Sequence, residues 1–151
     1  MEQMAKKPFK LDLHRAFGYL VYQASGFIRD RIGRELTQKG YGITVEQFTV
    51  LVYIWDQDGL PQHALANRLH RNKNYVTRLI AAIESQGFVQ RTPGKGYGRE
   101  KRLFLTVEGK NLMDKVTQLV AEIMESVGKG IDPREMKACK NVLRQVIQNF
   151  M

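Results

Sequence analysis

Hydrophobic side chains recur at intervals of three and four along the first third of the chain: Phe17, Leu20, Val21, Ala24, Phe27, Ile28, Ile32 and Leu36. That spacing lines one face of a helix and predicts one over residues 10–39, ended by "KGYG". Gly18, Gly26 and Gly33 fall close to one face of it. Such a row either admits a second helix at close range or is tolerated at about 1 kcal/mol each. Next, "TVEQ" (44–47) has the form of a capping box, Thr44 at the N-cap and Gln47 at N3. The helix it opens carries Phe48, Leu51, Val52 and Trp55 on its predicted stripe, and "DGLP" stops it. A short helix over about 61–69 turns Leu65, Ala66 and Leu69 inward. "HRN" then turns the chain, and Asn72 caps a helix running to Gln86 with Val76, Leu79, Ile80 and Ile83 toward the core. Gly87 sits where a left-handed helix-ending residue belongs.

After Gly87 the period changes. "FVQR" (88–91) and "KRLFL" (101–105) have the character of two short strands joined as a hairpin. Helical spacing then returns from Val107 to about Lys129 with Leu112, Val116, Leu119, Val120, Ile123 and Val127. A last helix starts at "DPRE" (132–135), with Asp132 at the N-cap and Pro133 at N1, and its stripe is Met136, Cys139, Leu143, Val146/Ile147 and Phe150. The predicted class is mainly α with a small β-hairpin: four helices, the hairpin, two helices. At 151 residues this reads as one domain. The long apolar stripes at 10–39 and 107–150 exceed what one small head can cover, so these helices are expected to build a homodimer.

Charge changes the picture. The formal net charge is +9, and residues 62–102 hold nine Lys/Arg against two Glu. Residues 41–61 carry only acids. The hairpin loop, "GKGYGREKR" (94–102), brings Lys95, Arg99, Lys101 and Arg102 together among three glycines. A phosphate-cradling loop of the G-x-x-x-x-G-K-[ST] type joins a strand to a helix, and this loop joins two strands. Its glycines therefore punctuate a hairpin and its cations are meant for an anion outside.

Two short helices joined by a tight turn and followed by a basic hairpin make a winged helix-turn-helix, over residues 43–106. Its second helix offers an N-terminal turn to the major groove of double-stranded DNA, where hydrogen-bonding edges identify base pairs. The residues expected to face solvent there are Lys73, Asn74, Tyr75, Thr77 and Arg78, with no acid before Glu84. A mixed, merely solvated face would alternate signs, so nucleic-acid contact is the favoured reading.

"LANRLHRNKNYVTRLIAAIESQGFVQR", followed by "LFLTVEG" and preceded by "GITVEQFTVL", resembles the multiple antibiotic resistance regulator (MarR) family of transcription factors over nearly the whole chain. The resemblance implies an intertwined homodimer whose two heads bind a pseudo-palindromic operator, as a repressor. It aligns Asn72 to Arg78 with the start of the recognition helix and Arg99 with a wing arginine that enters the minor groove. Lys95, Tyr97, Lys101 and Arg102 join the expected DNA contacts. The family's wing usually carries Asp-x-Arg, and this chain has Tyr97-Gly98-Arg99 instead. Without that acid, with three loop glycines and with Lys95, Arg99, Lys101, Arg102 and neighbouring Arg91 repelling one another near Glu100 alone, residues 93–99 are expected to be mobile until DNA orders them. The resemblance also implies an anionic, aromatic or phenolic effector between long helices and head, near His14, Phe17, Phe48 and Trp55. Core packing is the competing role for Trp55.

Other chemistry recedes. No Ser/His/Asp spacing, paired-carboxylate motif or dinucleotide fingerprint suggests an enzyme, and nothing calls for a cofactor or metal. His63 and His70, seven apart, form no zinc signature, and DNA or solvent contact is the better reading. The sole cysteine, Cys139, excludes an intrachain disulfide and is expected as a small buried core residue. No apolar run is long enough to span a bilayer, so a cytoplasmic location is expected. Two rivals share the basic composition: a non-specific architectural DNA binder, whose affinity would depend on salt alone, and a protein-interaction module without DNA affinity.

Overall fold

Thr44 and Gln47 cap each other. The Gln47 N–H donates to Thr44 Oγ1 at 3.2 Å and the Thr44 N–H donates to Gln47 Oε1 at 2.9 Å. This reciprocal box begins α2 (Val45–Asp56) in the computed structural model, which describes residues 12, 15–93 and 100–151. Before it runs α1 (Phe17–Gln38). After it come β1 (Leu60–Pro61), α3 (Gln62–Leu69), α4 (Lys73–Ser85), β2 (Val89–Thr92), β3 (Arg102–Leu105), α5 (Val107–Val127) and α6 (Pro133–Gln148). The expected class holds, with one addition. The sheet has three strands in the order β1-β3-β2, all antiparallel, with Leu60 opposite Leu103 and Val89 opposite Leu105. Strand β1 is only two residues long and contains a proline, so no alternation announces it.

Local signals predict most element ends. Asn72 Oδ1 accepts from the Asn74 N–H at 2.8 Å to start α4, and Asp132 Oδ1 accepts from the Arg134 N–H at 2.7 Å to start α6. Gly87, with φ of 82°, ends α4: its N–H donates to Glu84 O, and the next N–H, of Phe88, donates to Ile83 O. That pair of bonds satisfies carbonyls the helix leaves open. The long N-terminal helix is shorter than its periodicity suggests. Asp12, Arg15 and Ala16 are not helical, and α1 starts at Phe17 without a side-chain cap. An apolar stripe defines a face rather than a first turn.

The core gathers Leu36 of α1, Val50, Leu51 and Ile54 of α2, Leu65 of α3, and Val76, Ile80 and Ile83 of α4. Leu60, Val89 and Leu103 join it from the sheet, and Met113 and Val116 from α5. Within α2 the inward face differs from the predicted stripe. Phe48 and Leu51 are buried, yet Val52 and Trp55 are exposed, and Val50 and Ile54 take their places. The near-continuous apolar run "FTVLVYIW" leaves the helix phase undetermined by sequence. Along α1 only Ile32 and Leu36 are buried, while Phe17, Leu20, Val21 and Phe27 lie open, Phe27 at 72% exposure. No residue of α6 is buried, and its Cys139 is exposed, contrary to the expectation of a core position. Among the described residues, the stripe that should bury Cys139 joins no core.

Candidate nucleic-acid interface

The turn between α3 and α4 aims the N-terminal end of α4 outward. His70 caps α3 in the left-handed region (φ 48°), the Arg71 N–H donates back to Ala66 O, and Asn72 starts the next helix. Asn72, Lys73, Asn74, Thr77 and Arg78 are all exposed on the resulting surface. Tyr75 is not with them. It is half-buried against the core, because its position shares the inward face with Leu79 four residues along the helix. Thr77 Oγ1 accepts from Gln62 Nε2 at 3.4 Å, which ties the middle of α4 to the first turn of α3. Arg68 of α3 donates to Gln57 Oε1 at 2.7 Å.

The hairpin stands beside this surface. Lys101 is exposed at its root, and the Lys101 carbonyl accepts from the Gln62 N–H at 2.9 Å. Arg102 is held on the protein, its Nη1 donating to Gly59 O at 3.0 Å. Lys95, Tyr97 and Arg99 lie outside the described residues, as does residues 94–99 of the segment expected to be mobile. Arg91 belongs to no cluster of free cations. Its Nε donates to Glu84 Oε2 at 2.8 Å and its Nη2 donates to the same oxygen, so Glu84 neutralises it. The hydrogen bond from Arg91 is the main reason that the Glu84 carboxyl is held below its ordinary range. The sequence account missed this pair because the partners belong to different elements, α4 and β2.

His63 also has an intrachain partner: its Nδ1 lies 2.8 Å from Glu100 Oε1. Of the four residues expected around an effector, His14 lies outside the described residues, Phe17 is exposed, Phe48 is buried and Trp55 is 42% exposed. Phe17, Phe48 and Trp55 are in the walls of neither of two clefts on the described surface. A cleft of about 510 Å³ lies instead between α1 and the start of α2, with Arg29, Arg34 and Glu46 in its walls. A smaller one of about 200 Å³ reaches from Arg29 and Glu46 to Arg71 and Tyr75. Arg29 Nη2 donates to Glu46 Oε1 at 2.7 Å beside both.

Chemically, the open end of α4 presents amides, a guanidinium and an ammonium with no acid among them; the chain has none from Gly59 to Ile83. Arg can grip guanine in two bonds and Asn can do so with adenine. A hairpin beside such a helix is the geometry of a winged reading head. Residues 43–101 match the model of the MarR family. The chain is similar to MarR-family transcriptional regulators. It is 28% identical over 92 residues to the HTH-type transcriptional regulator TtmR of Methylorubrum extorquens, a match over 61% of this chain and 47% of TtmR. The chain thus spans about half the length of that relative. A MarR transcriptional regulator from Methanosarcina mazei superposes with a TM-score of 0.79 at 26% identity, over 87% of this chain and 94% of its own. The S. aureus MepR–DNA complex superposes with 0.78 at 24% identity, over 91% and 99%. Members of the MarR family are transcription regulators rather than enzymes. Among the described residues no helix is long and apolar enough to cross a membrane.

Proposed function

We propose that this protein is a MarR-family regulator that binds a specific double-stranded DNA operator as a homodimer and acts there as a repressor. The observation that carries the reading is the exposed, acid-free start of α4, where Asn72, Lys73, Asn74, Thr77 and Arg78 stand beside the hairpin root with Lys101. Arg78 and Asn74 read bases, while Lys73 and Lys101 hold phosphates. Lys95, Arg99 and Tyr97 complete the contact from the hairpin loop, Arg99 in the minor groove. Arg102, held by Gly59, reaches the backbone only from the hairpin root. The S. aureus MepR–DNA complex has the same fold, which supports DNA as the partner.

Dimerisation rests on the apolar surface that α1 and the C-terminal helix leave open. Phe17, Leu20, Val21 and Phe27 at one chain end, and Val142, Ile147 and Phe150 at the other, are exposed. Isolated exposed hydrophobics are ordinary, but continuous rows on two helices mark an interface. Two heads related by a two-fold axis then read half-sites about one helical turn apart, which makes the operator pseudo-palindromic. A small anionic aromatic or phenolic ligand near the helix–head junction releases the DNA by favouring a head spacing that does not fit it. The protein works where the chromosome is, in the cytoplasm.

Selection of bound duplexes from a random pool tests the reading, followed by a screen for small molecules that release the selected DNA. A recovered inverted repeat supports it. Equal affinity for all sequences, with salt dependence alone, would make the protein an architectural binder instead.

A further inference from the structure

Glu100 is the only acid between Glu84 and Glu108, in the middle of the chain's most basic stretch. An acid beside DNA opposes binding by repelling phosphate, so its presence calls for a local reason. Both of its carboxylate oxygens are engaged. Oε1 lies 2.8 Å from His63 Nδ1, and Oε2 accepts from Arg102 Nη2 at 3.4 Å. Arg102 in turn donates through Nη1 to Gly59 O at 3.0 Å. One carboxylate therefore links three places: the root of the hairpin, the first turn of α3, and the turn before β1.

The first turn of α3 needs such a group. That helix starts at Pro61 with no side-chain cap and has no acid of its own in its first turn. A carboxylate arriving from the hairpin complements the positive end of the helix dipole there. Next to it, the Gln62 N–H donates to Lys101 O at 2.9 Å, so a backbone bond and a side-chain bridge hold the same junction. The backbone bond defines where β3 meets α3. The side-chain bridge resists rotation of the hairpin about that point.

We propose that Glu100 is a positioning residue, which docks the hairpin root onto α3 through His63 and so orients the wing relative to the recognition helix. The proposal rests on the DNA-reading function above. It yields a sign that simple electrostatics does not. Replacing Glu100 by a neutral residue adds one positive charge and, on charge alone, should tighten binding to any duplex. Loss of docking works the other way, and the two effects separate by comparing Glu100→Ala with Glu100→Gln. Both variants lose the same charge, but glutamine keeps an acceptor for the His63 N–H.

The experiment measures dissociation constants for a duplex recovered from random-pool selection, at one salt concentration, with the full-length chain. Glu100→Ala is expected to bind about threefold more weakly than Glu100→Gln, the size expected of one partly exposed bridge. In a His63→Ala background the two substitutions should bind equally. Melting temperatures of the two Glu100 variants should match, which separates docking from general loss of stability. If both variants bind tighter than wild type by the same factor, the carboxylate matters only as a charge and the proposal fails. It fails equally if the difference persists without His63. Absence of DNA binding by the wild-type chain overturns the parent reading and this one with it, whereas selective binding with indistinguishable variants overturns this one alone.

Discussion

Gly109 lies in the first turn of α5, where Gly→Ala would ordinarily stabilise a helix by about 1 kcal/mol. Here a Cβ would stand 2.1 Å from the Phe88 carbonyl oxygen, 3.0 Å from its carbon and 3.3 Å from Leu105 Cδ2. The obstructing atoms are backbone and cannot swing aside. The chain crosses itself closely at this point because Thr106, the N-cap of α5, is bonded to the end of α4 on both sides. Its N–H donates to Phe88 O at 3.1 Å and its hydroxyl donates to Gly87 O at 2.6 Å. The same hydroxyl accepts from the Gly109 N–H at 3.0 Å.

Relieving the clash requires separating the two segments by about 1 Å, which overpacking studies put at about 2 kcal/mol. Separation weakens both Thr106 bonds, each worth about 1 kcal/mol. Set against the helix-propensity gain, Gly109→Ala should destabilise the protein by about 3 kcal/mol. For a chain of this size that is a fall in Tm of about 6–12 °C. Thermal melts at one fixed protomer concentration measure it, since dimerisation would make Tm concentration-dependent. Gly128→Ala serves as a control, because its Cβ would meet nothing nearer than 3.7 Å. That control should change Tm by no more than a degree or two. A Gly109→Ala protein melting at or above the wild type would refute the reasoning, and with it the placement of α5 against Phe88.

Four further outcomes follow from the same structure. Arg78→Ala should lose about 1–3 kcal/mol of discrimination between selected and random duplexes, while Lys101→Ala weakens both alike and lowers the salt slope by about 1; equal loss on both duplexes for Arg78→Ala would remove it from base reading. Arg91 lowers the pKa of Glu84 from its ordinary 4.5, so the pair's stabilisation is full above that pH and is lost as the pH falls through the lowered value. Arg91→Ala should therefore destabilise by up to about 1 kcal/mol at neutral pH, and urea melts in strong acid should show no difference from wild type. Ile147→Asp places a charge on the exposed face of α6 and should convert the dimer to monomers in sedimentation at micromolar concentration, whereas a wild-type monomer there would end the dimer proposal. An anionic aromatic effector should quench the fluorescence of Trp55, the single tryptophan, and loosen DNA together; quenching at unchanged DNA affinity would argue that the two are uncoupled.

Much of the head was legible in the chain because its signals are local. Thr44 and Gln47 are three residues apart, Asn72 bonds the amide two residues on, and Gly87 ends α4 with bonds reaching back three and five residues. Such interactions depend on residues no more than five positions away, so residue type and spacing nearly determine them. The change of period at Phe88 and the concentration of cations in residues 62–102 are likewise properties of the sequence. They predict the hairpin without reference to any tertiary contact.

What only the tertiary structure decided involves partners far apart in the chain. Strand β1 exists because Leu60 and Pro61 meet Leu103 and Arg102, some forty residues later. The inward face of α2 depends on what packs against it, which put Ile54 in the core and left Trp55 outside. Tyr75 turned inward for the same reason. Arg91 meets Glu84, and His63 meets Glu100, only once α4, β2, α3 and β3 are assembled. Gly109 looks like a weak helix residue until the carbonyl of Phe88 arrives above it. In each case the sequence supplied the groups, and their encounter required loop closure whose outcome no local spacing encodes.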